Sequence, residues 1–131
     1  MPRLQMLIYP VTDNSLQHKS LREYAKGTWS GKATEHMWNL YLKDGEQGML
    51  PYAAPLQQSS LTGLPPCYVE VCEMDCLRDE GIAYAKKLKS SGVATTLHIV
   101  PGAYHGYDMA TDTPFVQRDL ARRIAYIQAH L

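Results

Sequence analysis

The sequence lacks several features that would assign a function at once. Its 13 basic and 13 acidic residues cancel to a net charge of zero, which argues against nucleic-acid binding because such proteins carry a basic excess or stripe. No apolar run approaches the roughly 20 residues that a membrane-spanning helix needs. The chain also does not open on a basic and then apolar signal peptide. We therefore expect no nucleic-acid partner, no membrane association and a cytoplasmic location.

Cysteine is scarce, and the histidines are not arranged as paired metal ligands. The three cysteines, an odd number whose spacings match no zinc motif, are Cys67, Cys72 and Cys76. We expect them to be reduced and buried, as is usual in the cytoplasm. We also expect no metal and no cofactor. The alternative is a metal site built from Asp75, His105 and Asp108.

What is present is an alternation of strand and helix patterns over 131 residues, a length that suits one domain. Short segments rich in apolar and β-branched residues predict strands at Leu4–Tyr9, Cys67–Glu73 and Ala94–Val100. Helical spacing predicts helices over Leu77–Ser90 and from Pro114 to the C-terminus. This order predicts an α/β domain with a short parallel sheet of about three strands, flanked by helices.

A helical insertion is predicted between the first two strands. Ser20 and Glu23 have the spacing of a capping box, which predicts a short helix beginning at Ser20. A second helix is predicted over Ala33–Leu42, and we expect its aromatic residues Trp38 and Tyr41 to face the core.

Two candidate catalytic residues follow the second and third predicted strands. Asp75 comes just after Cys67–Glu73, and His105 comes just after Ala94–Val100. Because functional groups gather at the carboxyl ends of parallel strands, we expect the two side chains to meet. A carboxylate can hold an imidazole in the tautomer that a general base needs, and histidine changes its charge nearest to neutral pH. The alternative is a surface-loop histidine with local hydrogen bonds.

The motifs around these two residues resemble a known family. "DCLRDEG", which begins at Asp75, and "HGY", which begins thirty residues later at His105, are similar to the DPLRDEG and HGF motifs of the hormone-sensitive-lipase-like branch of the α/β-hydrolases. "LQMLIYPVTD", "LTGLPPCYVEV" and "AYAKKLKSSGV" are similar to that family's strand six, its approach to strand seven and the helix that follows. Cys76 and Tyr107 stand where the family has proline and phenylalanine. The resemblance covers nearly the whole chain.

The resemblance implies a carboxylic-ester hydrolase of the acetyl-esterase or lipase type that acts on a small ester without a cofactor. It implies Asp75 as the acid and His105 as the base of a Ser-His-Asp triad. It places Asp79 and Glu80 at a helix start, with Arg78 as a local partner. It also implies that residues 1–131 form the C-terminal part of an α/β-hydrolase domain, in which residues 14–60 are approximately a cap-like insertion.

Two working parts of such an enzyme are absent from the sequence. It contains no G-x-S-x-G nucleophile motif and no HGGG-type oxyanion motif. The nearest string is "GTWSG", whose Ser30 is expected to be a loop residue. We therefore expect no ester turnover by this chain alone. The alternatives are a non-catalytic truncated domain, a self-associating module, or a second chain that completes the site. Alone, the predicted strand Leu4–Tyr9 is an open sheet edge that favours pairing with another chain. We expect self-association through this edge or through the apolar faces that the missing half would cover.

Overall fold

Three parallel strands form the sheet. A computed structural model of the chain describes residues 2–45 and 48–131. In it, β1 (Gln5–Ile8) and β3 (Thr95–Val100) flank the central strand β2 (Cys67–Cys72). Both pairings are parallel, with Gln5 opposite Cys67 and Cys67 opposite Thr95. The predicted strands, their parallel order and the α/β class are confirmed.

Two long helices cover the two faces of the sheet. They are α4 (Arg78–Ser90) and α5 (Pro114–His130). Successive residues of a strand point to opposite faces, so the fully buried β2 contributes to both cores. The core on the α4 side includes Val69, Val71, Tyr84 and Leu88. The core on the α5 side includes Cys72, Val100, Tyr107 and Val116. No helix within the described residues is long and apolar enough to cross a bilayer.

Helix α4 approaches β2 closely at Gly81. A Cβ atom at this position would lie 2.5 Å from Cγ1 of Val71, which is closer than packed atoms can come. The glycine of the "RDEG" sequence therefore lets α4 pack directly on the central strand. This contact fixes the start of α4, and with it the preceding Asp75, against the sheet.

The described residues of the connection between β1 and β2 form three helices, α1 (Lys19–Glu23), α2 (Gly31–Tyr41) and α3 (Leu50–Ala53), and a 3₁₀ turn at Pro55–Gln57. Helix α3 and the 3₁₀ turn were not predicted. Each begins with a proline in its first turn and is too short for helical periodicity to be seen in the sequence.

The predicted capping box is wrong. Helix α1 begins at Lys19, and its N-cap residue His18 makes no side-chain cap. Ser20 lies inside the helix, where its hydroxyl donates to the carbonyl of Cys76 at 2.7 Å. The N–H of Ser20 is satisfied instead by Asp79 Oδ2 at 2.9 Å. A carboxylate on a distant helix therefore replaces the local cap, and no local motif could reveal it.

The predictions for α2 are partly correct. Trp38 is buried as expected, with 5% of its surface exposed, but the prediction for Tyr41 is wrong because 66% of its surface is exposed. The buried stripe of α2 runs through Thr34 and Trp38, four residues apart on one helical face. Ser30 is also not an ordinary loop residue. It is the N-cap of α2, and its Oγ accepts a hydrogen bond from the N–H of Ala33 at 3.1 Å.

Candidate functional site

The loops that follow β2 and β3 lie side by side and are joined by hydrogen bonds. The N–H of Glu73 donates to the carbonyl of Val100 at 3.1 Å, and the N–H of Met74 donates to the carbonyl of Ala103 at 2.9 Å. Glu73 Oε2 accepts a further hydrogen bond from the N–H of Gly102 at 2.7 Å. Glu73, for which the sequence suggested no role, therefore holds the β3 loop against the β2 loop.

Asp75 and His105 meet across these two loops. Asp75 Oδ2 lies 2.8 Å from His105 Nδ1, and Asp75 Oδ1 accepts a hydrogen bond from the N–H of Leu77 at 3.0 Å. The Asp75 side chain is 1% exposed and that of His105 is 22% exposed. When Nδ1–H donates to the carboxylate, the lone pair of Nε2 is available to accept a proton. This Nε2 has no protein hydrogen-bond partner within residues 2–45 and 48–131.

Two aromatic rings flank the imidazole of His105. The Tyr9 ring lies 4.3 Å from it, centroid to centroid, at an interplanar angle of 54°. The Trp29 ring stacks 5.8 Å away at 28°. The hydroxyl of Thr28 donates to the carbonyl of His105. Thr28 and Trp29 belong to the "GTWSG" string, so this string contacts the β3 loop although its serine caps a helix.

The acidic stretch around Arg78 contains four carboxylates, those of Glu73, Asp75, Asp79 and Glu80, and their environments differ. Asp79 pairs with Arg78 at 3.0 Å and accepts from the N–H of Ser20. Burial alone would raise the pKa of Asp79, but these hydrogen bonds lower it below its ordinary value. Arg78 also pairs with Glu23 at 3.1 Å. The predicted local partnership of Arg78 is confirmed for Asp79 but wrong for Glu80, which points away into the protein interior.

Glu80 lies in the first turn of α4, as predicted, but its carboxylate is buried. Its Oε1 accepts a hydrogen bond from the N–H of Thr12 at 2.7 Å, whereas its Oε2 has no hydrogen-bond partner among the described residues. The residue is completely buried. Burial raises the pKa of Glu80 from 4.5 to about 8, because a charged carboxylate loses its hydration there.

We expect the proton on Glu80 to make the stability of the chain depend on pH. Between pH 4.5 and about 8 the folded chain holds a proton that the unfolded chain has released. The free energy of unfolding should therefore fall as the pH rises, by up to about 1.4 kcal/mol per pH unit. Glu80→Gln keeps the acceptor for Thr12 and cannot ionise, so urea unfolding of this variant should show a flatter pH profile over this range. Glu35→Gln, at an exposed site, should keep the wild-type slope. Equal slopes for Glu80→Gln and wild type would contradict the prediction.

The three cysteines are buried and free, as expected. Burial raises the pKa of Cys67 to about 11 and that of Cys76 to about 12, and it also raises the pKa of Cys72. A thiol attacks as its thiolate. These three groups therefore stay protonated near neutral pH and are poor candidates for a nucleophile.

A buried ionic network beneath the site was not predicted. Glu70, on the central strand, is completely buried and pairs with Arg123 of α5 at 2.6 Å. Arg123 also pairs with Asp108 at 2.8 Å. The one signal in the sequence was a glutamate inside a buried apolar strand. Asp108 therefore faces an arginine and does not join Asp75 and His105 as a third metal ligand. No cluster of three or more potential metal ligands occurs in the described parts of the chain.

A second aspartate–histidine contact lies on the loop after β1. His18 Nε2 is 2.8 Å from Asp13 Oδ2. Asp13 also accepts hydrogen bonds from Ser15 N–H, Ser15 Oγ–H and the Gln57 amide. Burial alone would raise the pKa of Asp13, but these hydrogen bonds lower it below its ordinary value. This carboxylate joins the loop after β1 to the 3₁₀ turn at Pro55–Gln57.

Comparison with known proteins identifies relatives over nearly the whole chain. Residues 1–109 match a family model described as the alpha/beta hydrolase fold. The chain is 32% identical over 132 residues to ethyl acetate hydrolase of Pseudomonas putida, covering 99% of this chain and 42% of that protein. It is 36% identical over 108 residues to carboxylic ester hydrolase LipN of Mycobacterium tuberculosis, covering 81% of this chain and 29% of that protein.

A solved structure is similar over the full length of the chain. The thermostable esterase from Pseudomonas putida ECU1011 superposes with a TM-score of 0.92 and 35% sequence identity, covering 100% of this chain and 44% of that one. The chain therefore spans less than half the length of these relatives.

Proposed function

We propose, from the premise that this chain belongs to the α/β-hydrolase fold family, that it supplies the acid and the base of a carboxylic-ester hydrolase. In this proposal His105 is the base and Asp75 is the acid that orients it. The observation that carries the proposal is the 2.8 Å contact between Asp75 Oδ2 and His105 Nδ1 at two adjoining strand ends. The names of the relatives, ethyl acetate hydrolase and carboxylic ester hydrolase, support an ester substrate with a small acyl group.

In the proposed reaction, Nε2 of His105 takes the proton from a serine hydroxyl as the serine oxygen attacks the ester carbonyl. Asp75 stabilises the imidazolium that forms, because its carboxylate lies on the Nδ1 side of the ring. His105 then returns the proton to the leaving alcohol. Neither the serine nor the oxyanion donors are identified in this sequence, since it contains no G-x-S-x-G. We propose that a polypeptide outside these residues provides both.

We further propose that residues 1–131 correspond to the C-terminal part of the family's domain, with residues 14–60 covering the acyl site. The exposed apolar face of α2 supports a role of residues 14–60 in covering the acyl site, because Met37 and Leu40 line an open cavity of about 520 Å³ together with Trp29. The three free, buried thiols support a cytoplasmic location.

The alternative function is a non-catalytic module that associates through β1. Within the described residues, β1 pairs only with β2, and its four side chains are half-buried. An unpaired edge of this kind can accept a strand from another chain. We propose that the occupant is either a second copy or the polypeptide that carries the nucleophile.

Hydrolysis of p-nitrophenyl acetate tests the proposal. We expect the chain alone to show no ester hydrolysis that a serine-directed inhibitor blocks. We expect activity from a chimera that joins it to the unmatched part of the Pseudomonas putida ethyl acetate hydrolase, and loss of that activity in the His105→Ala chimera. The isolated Ser30→Ala variant controls for a hidden nucleophile. If a serine-directed inhibitor labels the chain alone and Ser30→Ala abolishes the labelling, the claim that this chain lacks a nucleophilic serine is contradicted.

Self-association has a separate test. Sedimentation of the chain as a monomer at high concentration would contradict it.

A further inference from the structure

Tyr9, directly after β1, has an unusual backbone conformation. Its φ is 37°, in the left-handed region that non-glycine residues with bulky side chains rarely adopt. The N–H of Tyr9 still donates to the carbonyl of Glu70 at 2.7 Å, so the residue remains attached to the central strand. A conformation of this kind persists only when the surroundings fix it, and such residues often lie beside functional sites.

The strained backbone places the Tyr9 ring between His105 and the ionic network. The centroid of the ring lies 4.3 Å from that of the imidazole, with the two planes tilted by 54°, and the hydroxyl donates to Asp108 Oδ1 at 2.9 Å. Burial and the hydrogen bond to Asp108 raise the pKa of Tyr9 to about 12. The hydroxyl therefore keeps its proton and remains a donor to the carboxylate across the physiological pH range.

Asp108 is itself held in place by the buried ionic network of Arg123 and Glu70. Its Oδ2 accepts from Arg123 at 2.8 Å, and Arg123 pairs with the completely buried Glu70 at 2.6 Å. Glu70 Oε1 also accepts from the hydroxyl of Tyr107 at 2.9 Å. The residues two and three positions after His105 are therefore both tied to the central strand through buried polar contacts.

His105 is left with little freedom to rotate. Gly106, with φ of 79°, turns the chain so that His105 lies opposite Tyr9 while the next two residues point into the protein. Rotation of the imidazole about its side-chain bonds would move Nδ1 away from Asp75. The neighbouring rings of Tyr9 and Trp29, whose centroids lie 4.3 and 5.8 Å from that of the imidazole, restrict this movement.

We propose that Tyr9 is a positioning residue, which holds the imidazole of His105 in hydrogen-bonding register with Asp75 through its ring contact and its hydroxyl bond to Asp108. This inference rests on the proposed function, since it assigns Tyr9 to the same acid–base pair. Tyr9 acts through His105 and takes no part in proton transfer itself.

Proton NMR of the full chain tests this role. A histidine Nδ1 proton in a hydrogen bond to a carboxylate gives a strongly deshielded resonance, and its exchange rate with water reports how often that bond opens. Asp75→Asn identifies the resonance by abolishing it. In Tyr9→Phe, which keeps the ring and loses the hydroxyl, we expect exchange to be about tenfold faster, because the ring is no longer hydrogen-bonded to the charged Asp108. Asp108→Asn should give an increase in the same direction.

Tyr84→Phe is the matched control, because Tyr84 is a buried tyrosine of the core on the α4 side. This variant should leave the resonance unchanged. Comparing urea unfolding of the variants separates local opening from global destabilisation. The resonance could be present and disappear in Asp75→Asn, yet exchange at the wild-type rate in both Tyr9→Phe and Asp108→Asn. This outcome would overturn the positioning role of Tyr9 but not the acid–base pair. A wild-type chain without any such resonance would overturn the acid–base pair as well.

Discussion

Replacing Asp75 with asparagine is expected to lower the kcat of the completed chimera by about 10⁴-fold, the effect of the equivalent change in serine-protease triads. The geometry explains why. Asp75 Oδ1 accepts from the N–H of Leu77, so an asparagine would keep its carbonyl oxygen there and place its NH₂ group against His105 Nδ1. The imidazole would then accept at Nδ1 and carry its proton on Nε2. A ring in that tautomer cannot take a proton from serine.

The measurement is p-nitrophenyl acetate hydrolysis under saturating conditions, together with urea unfolding to show that the variant is folded. Asp112→Asn is the matched control, because Asp112 is exposed and lies on the same β3–α5 connection as His105. It should retain wild-type kcat. A folded Asp75→Asn chimera with wild-type kcat would remove Asp75 from the proposed triad.

The proposed acid–base pair could be predicted because it depends on topology. Strand patterns located the carboxyl ends of β2 and β3, and adjacent parallel strands bring those ends together. The distance between carboxylate and imidazole does not by itself distinguish Asp75 and His105 from the other aspartate–histidine contact. The contact between Asp13 and His18 is equally short, 2.8 Å, yet Asp13 accepts three further hydrogen bonds that join loops. Among the described residues, the Asp75 carboxylate instead accepts one backbone hydrogen bond beside its histidine.

The buried carboxylates could not be predicted because their partners are remote in sequence. Glu80 is bonded to Thr12, 68 residues away, and Glu70 to Arg123, 53 residues away. A capping pattern or a helical face is a local feature, whereas these contacts exist only after β1, α4 and α5 have assembled. The same reason explains the wrong capping box, since the N–H of Ser20 binds Asp79 on a distant helix.

Position in the acidic stretch therefore says little about environment. Asp79 and Glu80 are consecutive residues in the first turn of α4, where negative charge is favourable. Nevertheless, hydrogen bonds lower the pKa of Asp79 while burial raises that of Glu80. The helix rotates successive side chains by about 100°, so one carboxylate meets Arg78 and a backbone N–H while the next enters the interior.

The second large effect is expected for Arg123→Met, which should reduce the free energy of unfolding by about 3–5 kcal/mol. The Arg123 side chain is 12% exposed and that of Glu70 is fully buried. Removing the guanidinium leaves the Glu70 carboxylate without its counter-charge in the centre of the sheet. Because a domain of this size is stable by only about 5–15 kcal/mol, the loss should be evident in urea unfolding. Arg118→Met, on the exposed side of the same helix, should change stability by no more than about 0.5 kcal/mol.

A double variant separates the loss of the charge pair from the loss of packing. Glu70→Gln in the Arg123→Met background removes the unpaired charge. The hydroxyls of Tyr68 and Tyr107 donate to the two different oxygens of Glu70, at 2.8 and 2.9 Å. The glutamine keeps an oxygen acceptor for one of them, and its NH₂ group can donate to the other hydroxyl, which can also accept. We expect the double variant to be more stable than Arg123→Met alone, since an uncompensated buried charge is the larger penalty. If the double variant is less stable than the single one, the guanidinium stabilises the fold mainly by filling space between α5 and the sheet. Arg123→Met removes the ion pair of Asp108 in either case, so the faster exchange of the His105 proton that is expected in Asp108→Asn should also occur in Arg123→Met.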